Sequence, residues 1–305
     1  MSPFLRVRYL IEYAALRAVW LLLRALPPSR AYDLGAACGG LWYRCSRTRR
    51  RVAMENVLAA GVAASRSEAE RIARASFRHF TGHLLENLKV PAVLRADNWR
   101  EHVTFEGPEE AFALLCATDR PVVLASAHLG CWEIAGYWVS LMRPVFAVAR
   151  PMNNPYAQRF LLREHFRTDL TVLPKDRAFS PETMRAWEER RAALAIVMDQ
   201  HAGRRGMWMD VLGRPASVHT SPARLHLMTG FPLVVGCLVR VGPLQYRVIV
   251  SAPIRIVASG DRERDTRAVL TQLNAFFETL IRRYPEQYLW MHRRWRTPPA
   301  GVALV

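Results

Sequence analysis

The sequence predicts an α/β protein: a central sheet, mostly parallel or mixed, flanked by helices and preceded by a helical N-terminal region. Three observations carry this. From residue 100 onward short apolar runs alternate with stretches of helical periodicity, the pattern of strands interleaved with covering helices. Residues 30–90 show helical spacing without strand-like runs. Finally, no Gly-, Pro- or Ser-rich linker divides the region after residue 100. The expected organisation is 1–28 as an N-terminal membrane-associating helix, 29–98 as a helical region packed on the catalytic unit, and 99–305 as one α/β domain.

The N-terminal element is apolar over residues 9–26 and stops at Pro27-Pro28. Glu12, Arg17 and Arg24 interrupt it. A spanning helix needs roughly 20 residues with few charges, and Pro27-Pro28-Ser29 makes a poor signal-cleavage site. An interfacial amphipathic helix and a marginal single span both remain open; an ordinary helix packed on the domain is the bland alternative. Helices follow over 31–44, over 47–57 behind the basic run Arg47-Thr48-Arg49-Arg50-Arg51, and over 65–87, with Ser67 and Glu70 at capping-box spacing. Buried strands are expected at 121–127, 145–149, 193–198 and 231–239, and an alternating edge strand at 246–250. Helices are expected at 108–117, 131–142, 155–167, 181–190, 220–229 and 264–284.

The chain has 305 residues, half of them hydrophobic, so a sizeable core is available and disorder is not the default reading. Its 43 basic residues outweigh 26 acidic ones for a net charge of +17, and Lys89 and Lys175 are the only lysines. Such a charge favours an anionic partner: nucleic acid, an anionic membrane, or a phosphorylated substrate. No helix-turn-helix, RNA-binding or zinc signature supports nucleic acid. The five cysteines are scattered and form no metal-ligand spacing. His201, His219 and His226 also lack the spacing of a metal site, so no metal and no cofactor is expected.

The chemistry concentrates in His128-Leu129-Gly130-Cys131-Trp132-Glu133, where a buried strand ends, a turn forms and a helix starts. That places His128 at the carboxyl end of a strand, where open α/β sheets bind ligands. Glu133, in the first helical turn, is then within reach of one imidazole nitrogen, leaving the other as a base. The bare His-x4-Glu spacing is weak, since about one such pair arises by chance in a chain of this composition. A serine esterase is excluded by the absence of G-x-S-x-G. Cys131 as a thiol nucleophile is a rival that exchange to Ser or Asn eliminates if activity survives.

With these residues in place the chain resembles the late acyltransferases of lipid A biosynthesis, the lauroyl/myristoyl transferase family that also holds the phosphatidylinositol mannoside acyltransferases. The motifs occur in order over nearly the whole chain: His128–Glu133 like HxGxWE, Arg150-Pro151-Met152-Asn153-Asn154-Pro155 like RPxxNP, Asp199-Gln200-His201-Ala202-Gly203 like DQxxG, Thr220–Leu225 like TGxARL, and Glu286–Arg296 like EQYxWxHRRW(K/R). Cys131 and His201 depart from the residues common in the family, which leaves chain length and acceptor open. The resemblance implies a glycerolipid-acyltransferase-like fold and direct transfer of a fatty acyl chain from acyl carrier protein or acyl-CoA to a hydroxyl of a lipid A precursor. The acceptor would be an anionic glycolipid, and the place the cytoplasmic face of the bacterial inner membrane, peripheral or single-pass through the N-terminal helix. His128 would be the general base and Glu133 its orienting carboxylate. Arg150, Asn154, Asp199, His292, Arg293 and Arg294 are the substrate-binding candidates: Arg150 for a phosphate or the oxyanion, Asp199 for the acceptor or as partner of Arg150, the C-terminal group for a headgroup. Asn154 before a proline also suits a simple turn. Trp132, Trp138 and Phe146 are the guesses for an acyl tunnel. The alternatives are transfer to another glycolipid or aminolipid such as a phosphatidylinositol mannoside, or a basic membrane- or nucleic-acid-binding protein without activity.

Overall fold

The computed structural model describes residues 2–165, 168–175 and 177–296. Five helices come first: α1 (Pro3–Ala25), α2 (Pro28–Cys45), α3 (Arg47–Ala59), α4 (Arg66–Asn87) and the short α5 (Val90–Val93). The α/β part then runs β1 (Val103–Glu106), α6 (Glu109–Cys116), β2 (Val122–Ser126), α7 (Trp132–Ser140), β3 (Val145–Ala149), α8 (Pro155–His165), β4 (Leu170–Pro174), α9 (Pro181–Glu189) and β5 (Ala193–Val197). A hairpin, β6 (Met207–Val211) and β7 (Arg214–Val218), leads to α10 (Ser221–Thr229), β8 (Leu233–Gly242), β9 (Gln245–Val250) and α11 (Arg262–Arg283). Of the expected helix 155–167, residues 166–167 lie outside the described residues, as do residues 297–305 of the expected last unit.

Seven strands form one mixed sheet in the order β1-β9-β8-β2-β5-β3-β4. All neighbours are parallel except β8 and β9, which pair antiparallel. The central strands read as continuous apolar runs because both faces are covered. Val123, Ala125, Leu194, Ile196, Val235 and Cys237 join a buried cluster with α4 and α11 on one face. On the other, Val234, Leu238 and Val248 pack with Ile134 and Trp138 of α7.

The five expected strands and the helices between them are present. β1, β4 and the hairpin were not anticipated: the edge strands have four and five residues, too short for a period to register. The cap of α4 is Ser65, which accepts from Glu68 N, while Glu68 Oε2 accepts from Ala64 N. The cap thus lies two residues before the expected Ser67, where the chain leaves extended geometry, and Glu68 three residues on reaches back to the residue before it.

One device holds the helical layer together and another locks it to the sheet. Helices α2 and α4 approach so closely that a Cβ on Gly39 would lie 2.3 Å from Phe77 O. Glu86 of α4, fully buried, accepts from Arg240 Nε at 3.0 Å and from Tyr246 Oη at 2.9 Å. Removing one partner of such a buried pair typically costs about 3–5 kcal/mol.

Helix α1 lies on α8, with Tyr13 and Trp20 each making an edge contact with Phe160 at 5.9 Å. Lys89 Nζ donates to Leu23 O and Arg24 O, satisfying carbonyls that a helix end leaves free. The opposite face of α1 leaves Phe4, Val7, Ile11 and Leu22 exposed. Among the described residues no helix is long and apolar enough to cross a membrane, so the single-pass option finds no support; Arg6, Arg8, Glu12, Arg17 and Arg24 break the apolar run.

Candidate active site

Strands β2 and β5 are parallel neighbours, and their register sets Ser126 beside Val197. Two residues further along each strand stand His128 and Asp199, just past the carboxyl ends. Equal overrun brings the side chains together: His128 Nδ1 lies 2.7 Å from Asp199 Oδ1. β3 ends at Ala149 and β4 at Pro174, so Arg150 and Lys175 emerge from the same edge. Four adjacent parallel strands thus present an imidazole, a carboxylate and two cations at the carboxyl edge of the sheet.

The turn after His128 depends on Gly130. Its φ is +69°, and a Cβ there would lie 2.1 Å from Leu238 O; only glycine fits. The loop is held from outside by the C-terminal motif. Gly130 N donates to Gln287 O and Leu289 N donates to His128 O, while Cys131 N donates to Leu238 O. Ser76 donates to Tyr288 O, and Asn56 donates to Trp290 O and His292 O. Much of the Glu286–Arg296 motif therefore acts as a strap that fixes the His128 loop against α3 and α4.

Burial pushes His128 down, but the charge and hydrogen bond of Asp199, helped by the charge of Glu133, outweigh it and leave the imidazole above its ordinary value. Burial would raise Asp199, yet His128 and then Arg294 hold it at about 2. An ionised Asp199 accepts, so Nδ1 carries the proton. Nε2 then has a free lone pair, toward which Gln200 Nε2 donates at 3.2 Å. His79, His201, His219 and His292 all move the other way, His79 to about 3 and His219 and His292 to about 4, chiefly through burial. Cys131 is fully buried and its thiol is pushed well up, poor conditions for a thiolate nucleophile.

His128 opens onto a cavity of about 580 Å³ lined by alternate residues of one sheet face and by α6 and α7. Leu124, Ala147, Ala195, Val197 and Gly236 form its ceiling; Leu115, Trp138, Val139 and Leu170 close it. Small side chains in mid-sheet leave the space. Trp132 and Trp138 line it as expected. Phe146 points to the opposite sheet face, because odd and even strand positions face opposite ways.

The hydrogen bonds depart from the expected pattern at several residues. Glu133 does not take the His128 Nδ1 position; that place is occupied by Asp199, which also is not paired with Arg150 but with His128. Glu133 Oε2 instead meets His83 Nε2 at 2.7 Å. Helix α7 begins at Trp132, which turns the Glu133 side chain toward α4. Arg150 and Glu133 both line the cavity. Asn154 is buried and fully engaged: its Oδ1 accepts from Tyr156 N and Ala157 N, and its Nδ2 donates to Tyr9 O and Glu12 Oε2. It caps α8 and ties it to α1, leaving no polar atom for a substrate. Arg294 is buried with Nη1 on Gln200 O at 2.9 Å, so it supports the Asp199 loop rather than reaching a headgroup. Arg293 is exposed and His292 half-buried.

Two participants were missed. Lys175 stands on the cavity rim, and a lysine directly after an apolar run was a usable signal. His83 sits on the core-facing stripe of α4 with Ile72, Ser76, His79 and Glu86; polar residues on the apolar stripe of an amphipathic helix mark it.

Known proteins share this sequence pattern. The chain is 23% identical over 301 residues to the lipid A biosynthesis palmitoleoyltransferase of Escherichia coli K12, covering 98% of this chain and 95% of that protein. It is 23% identical over 311 residues to the lipid A biosynthesis lauroyltransferase of the same organism, covering 99% and 96%. The crystal structure of the 1-acyl-sn-glycerophosphate acyltransferase of Thermotoga maritima aligns at a TM-score of 0.36 with 13% identity over 86% of this chain and 97% of that one, too low to bear on function. A family model described as bacterial lipid A biosynthesis acyltransferase matches residues 2–297, and with a match of that extent the chain belongs to this family and is an acyltransferase.

Proposed function

We propose that the protein moves a fatty acyl chain from a thioester donor, acyl carrier protein or acyl-CoA, onto a hydroxyl of a lipid A precursor, with His128 as general base. The observation that carries this is the position of His128: Nδ1 is held by Asp199, and the ring lines an apolar cavity together with Gln200, which meets Nε2. The acyl chain would occupy that cavity with its thioester carbonyl at the mouth. The acceptor hydroxyl would replace Gln200 at Nε2, give up its proton there and attack the carbonyl carbon. Collapse of the tetrahedral intermediate breaks the C–S bond, and the departing thiolate takes the proton from the imidazolium. Asp199 and Glu133 both stabilise that imidazolium, and general base catalysis of this kind contributes roughly 10²–10⁴-fold. Arg150 and Lys175 on the rim suit the phosphate of a donor arm or of a glycolipid, Arg150 also the oxyanion.

The free apolar face of α1 with its arginines suits the interface of an anionic membrane, which would bring the cavity mouth to a lipid acceptor. The protein would then be peripheral.

Transfer of a labelled acyl chain to a tetra-acylated lipid A precursor tests this, with carrier-protein and CoA donors in parallel and His128→Asn beside the wild type. Transfer by the wild type and its loss in the variant support the reading. A folded wild type that acylates only another glycolipid overturns the acceptor, and a fully active His128→Asn overturns the base.

A further inference from the structure

Helix α4 grips the catalytic turn at two points one helical turn apart. His79 Nε2 donates to Gly130 O at 3.1 Å, and its Nδ1 meets Tyr32 Oη at 3.3 Å. Four residues on, His83 Nε2 reaches Glu133 Oε2 at 2.7 Å. The two rings stack with centroids 5.5 Å apart. His83 is fully buried, whereas the Glu133 side chain keeps 29% of its surface open and lines the cavity. His83 Nδ1 has no hydrogen-bond partner among the described residues. A buried orphan N–H is rare, so the proton belongs on Nε2 and is donated to the carboxylate. Trp132 fills the space between the two imidazoles, 4.4 Å from His83 and 5.0 Å from His128. Glu133 is not steadied by His128 Nδ1, which belongs to Asp199.

We propose that His83 is a positioning residue: by holding one oxygen of Glu133 it keeps that carboxylate in one place on the cavity lining, where its charge supports the His128 imidazolium during transfer. The proposal rests on His128 being the base. It makes the N-terminal helical layer part of the active site, since without α4 the second carboxylate has no fixed place. His83 touches neither substrate nor base, so its effect passes entirely through Glu133.

The test is a double-mutant cycle in the acyl-transfer assay on full-length protein: His83→Leu, His83→Gln, Glu133→Gln and the combination of His83→Leu with Glu133→Gln. Loss of one hydrogen bond to a charged group predicts a fall in kcat of roughly 10- to 150-fold in His83→Leu, with KM for the donor unchanged. The amide of His83→Gln can stand where the Nε2–H stood and restores kcat to within about threefold. In the Glu133→Gln background His83→Leu has no further effect, because coupled residues fail to add. Should His83→Leu not fold, as read by thermal melting, His83→Asn replaces it, with an amide too short to reach Glu133. Equal losses in the Leu and Gln variants, or a full additional loss in the double variant, overturn the proposal. A fully active His128→Asn would instead overturn the base assignment, an outcome read independently of every His83 variant.

Discussion

Asp199→Asn removes the charge on His128 Nδ1 while keeping the shape of the side chain. Asp199 lies 2.7 Å from the imidazole and is nearly closed to solvent. Two unit charges about 4 Å apart interact by about 4 kcal/mol at an effective dielectric of 20. If that interaction is made only when the imidazolium forms, its loss lowers kcat by roughly 10³-fold. The amide can also donate to Nδ1, which would place the proton on Nε2 and block the base. The pH dependence has a definite sign. The base must be neutral, and in the wild type it sits above its ordinary value, so kcat falls as pH drops through that raised value. In the variant the raising influence of Asp199 is gone and burial remains, so the acidic limb moves to lower pH. The assay is kcat for acyl transfer across the pH range. A variant within about threefold of wild type, or one whose acidic limb stays in place, would refute the assignment of Asp199 as the partner of His128.

Ala195 lines the middle of the cavity, and Ala195→Leu narrows it; because each methylene is worth about 1–3 kcal/mol in an apolar pocket, kcat/KM for the longest accepted donor falls at least about tenfold relative to shorter ones in a competition assay. Gly130→Ala meets both a φ of +69° and the Leu238 carbonyl, so the His128 loop shifts and transfer drops by roughly 10²-fold, with a lower melting temperature. Ile11→Glu with Leu22→Glu charges the free face of α1; losing two exposed apolar side chains whose insertion into lipid is worth about 1.5–3 kcal/mol each weakens sedimentation with anionic vesicles by at least roughly 10²-fold while transfer to a detergent-dispersed acceptor persists.

The sheet was legible because its central strands are covered on both faces and read as unbroken apolar runs, as in residues 121–127 and 193–198. Short strands at the rim gave no such signal. In the β6–β7 hairpin Leu212 and Gly213 both adopt positive φ, yet Leu212 does not announce a turn as Asn or Asp would. At the site, His128 stood out from its place after a strand. Its partner did not, because local spacing favours Glu133, five residues away, while Asp199 arrives through strand register across 71 residues. The same reason hid His83: a helix from a different layer supplies it. Asn154 and Arg294 were read as ligand contacts because they sit in polar motifs. Their burial and internal hydrogen bonds, properties of the packed chain, assign them to scaffolding.

The pairing of His128 with Asp199 is read most directly from the Nδ1 proton, which a short hydrogen bond to a carboxylate deshields and protects from exchange. Proton NMR of protein with ¹⁵N-labelled histidine should show that resonance in the wild type and in Glu133→Gln, and lose it in Asp199→Asn. Its survival in Asp199→Asn together with its loss in Glu133→Gln would contradict the account and make Glu133 the residue that holds the base.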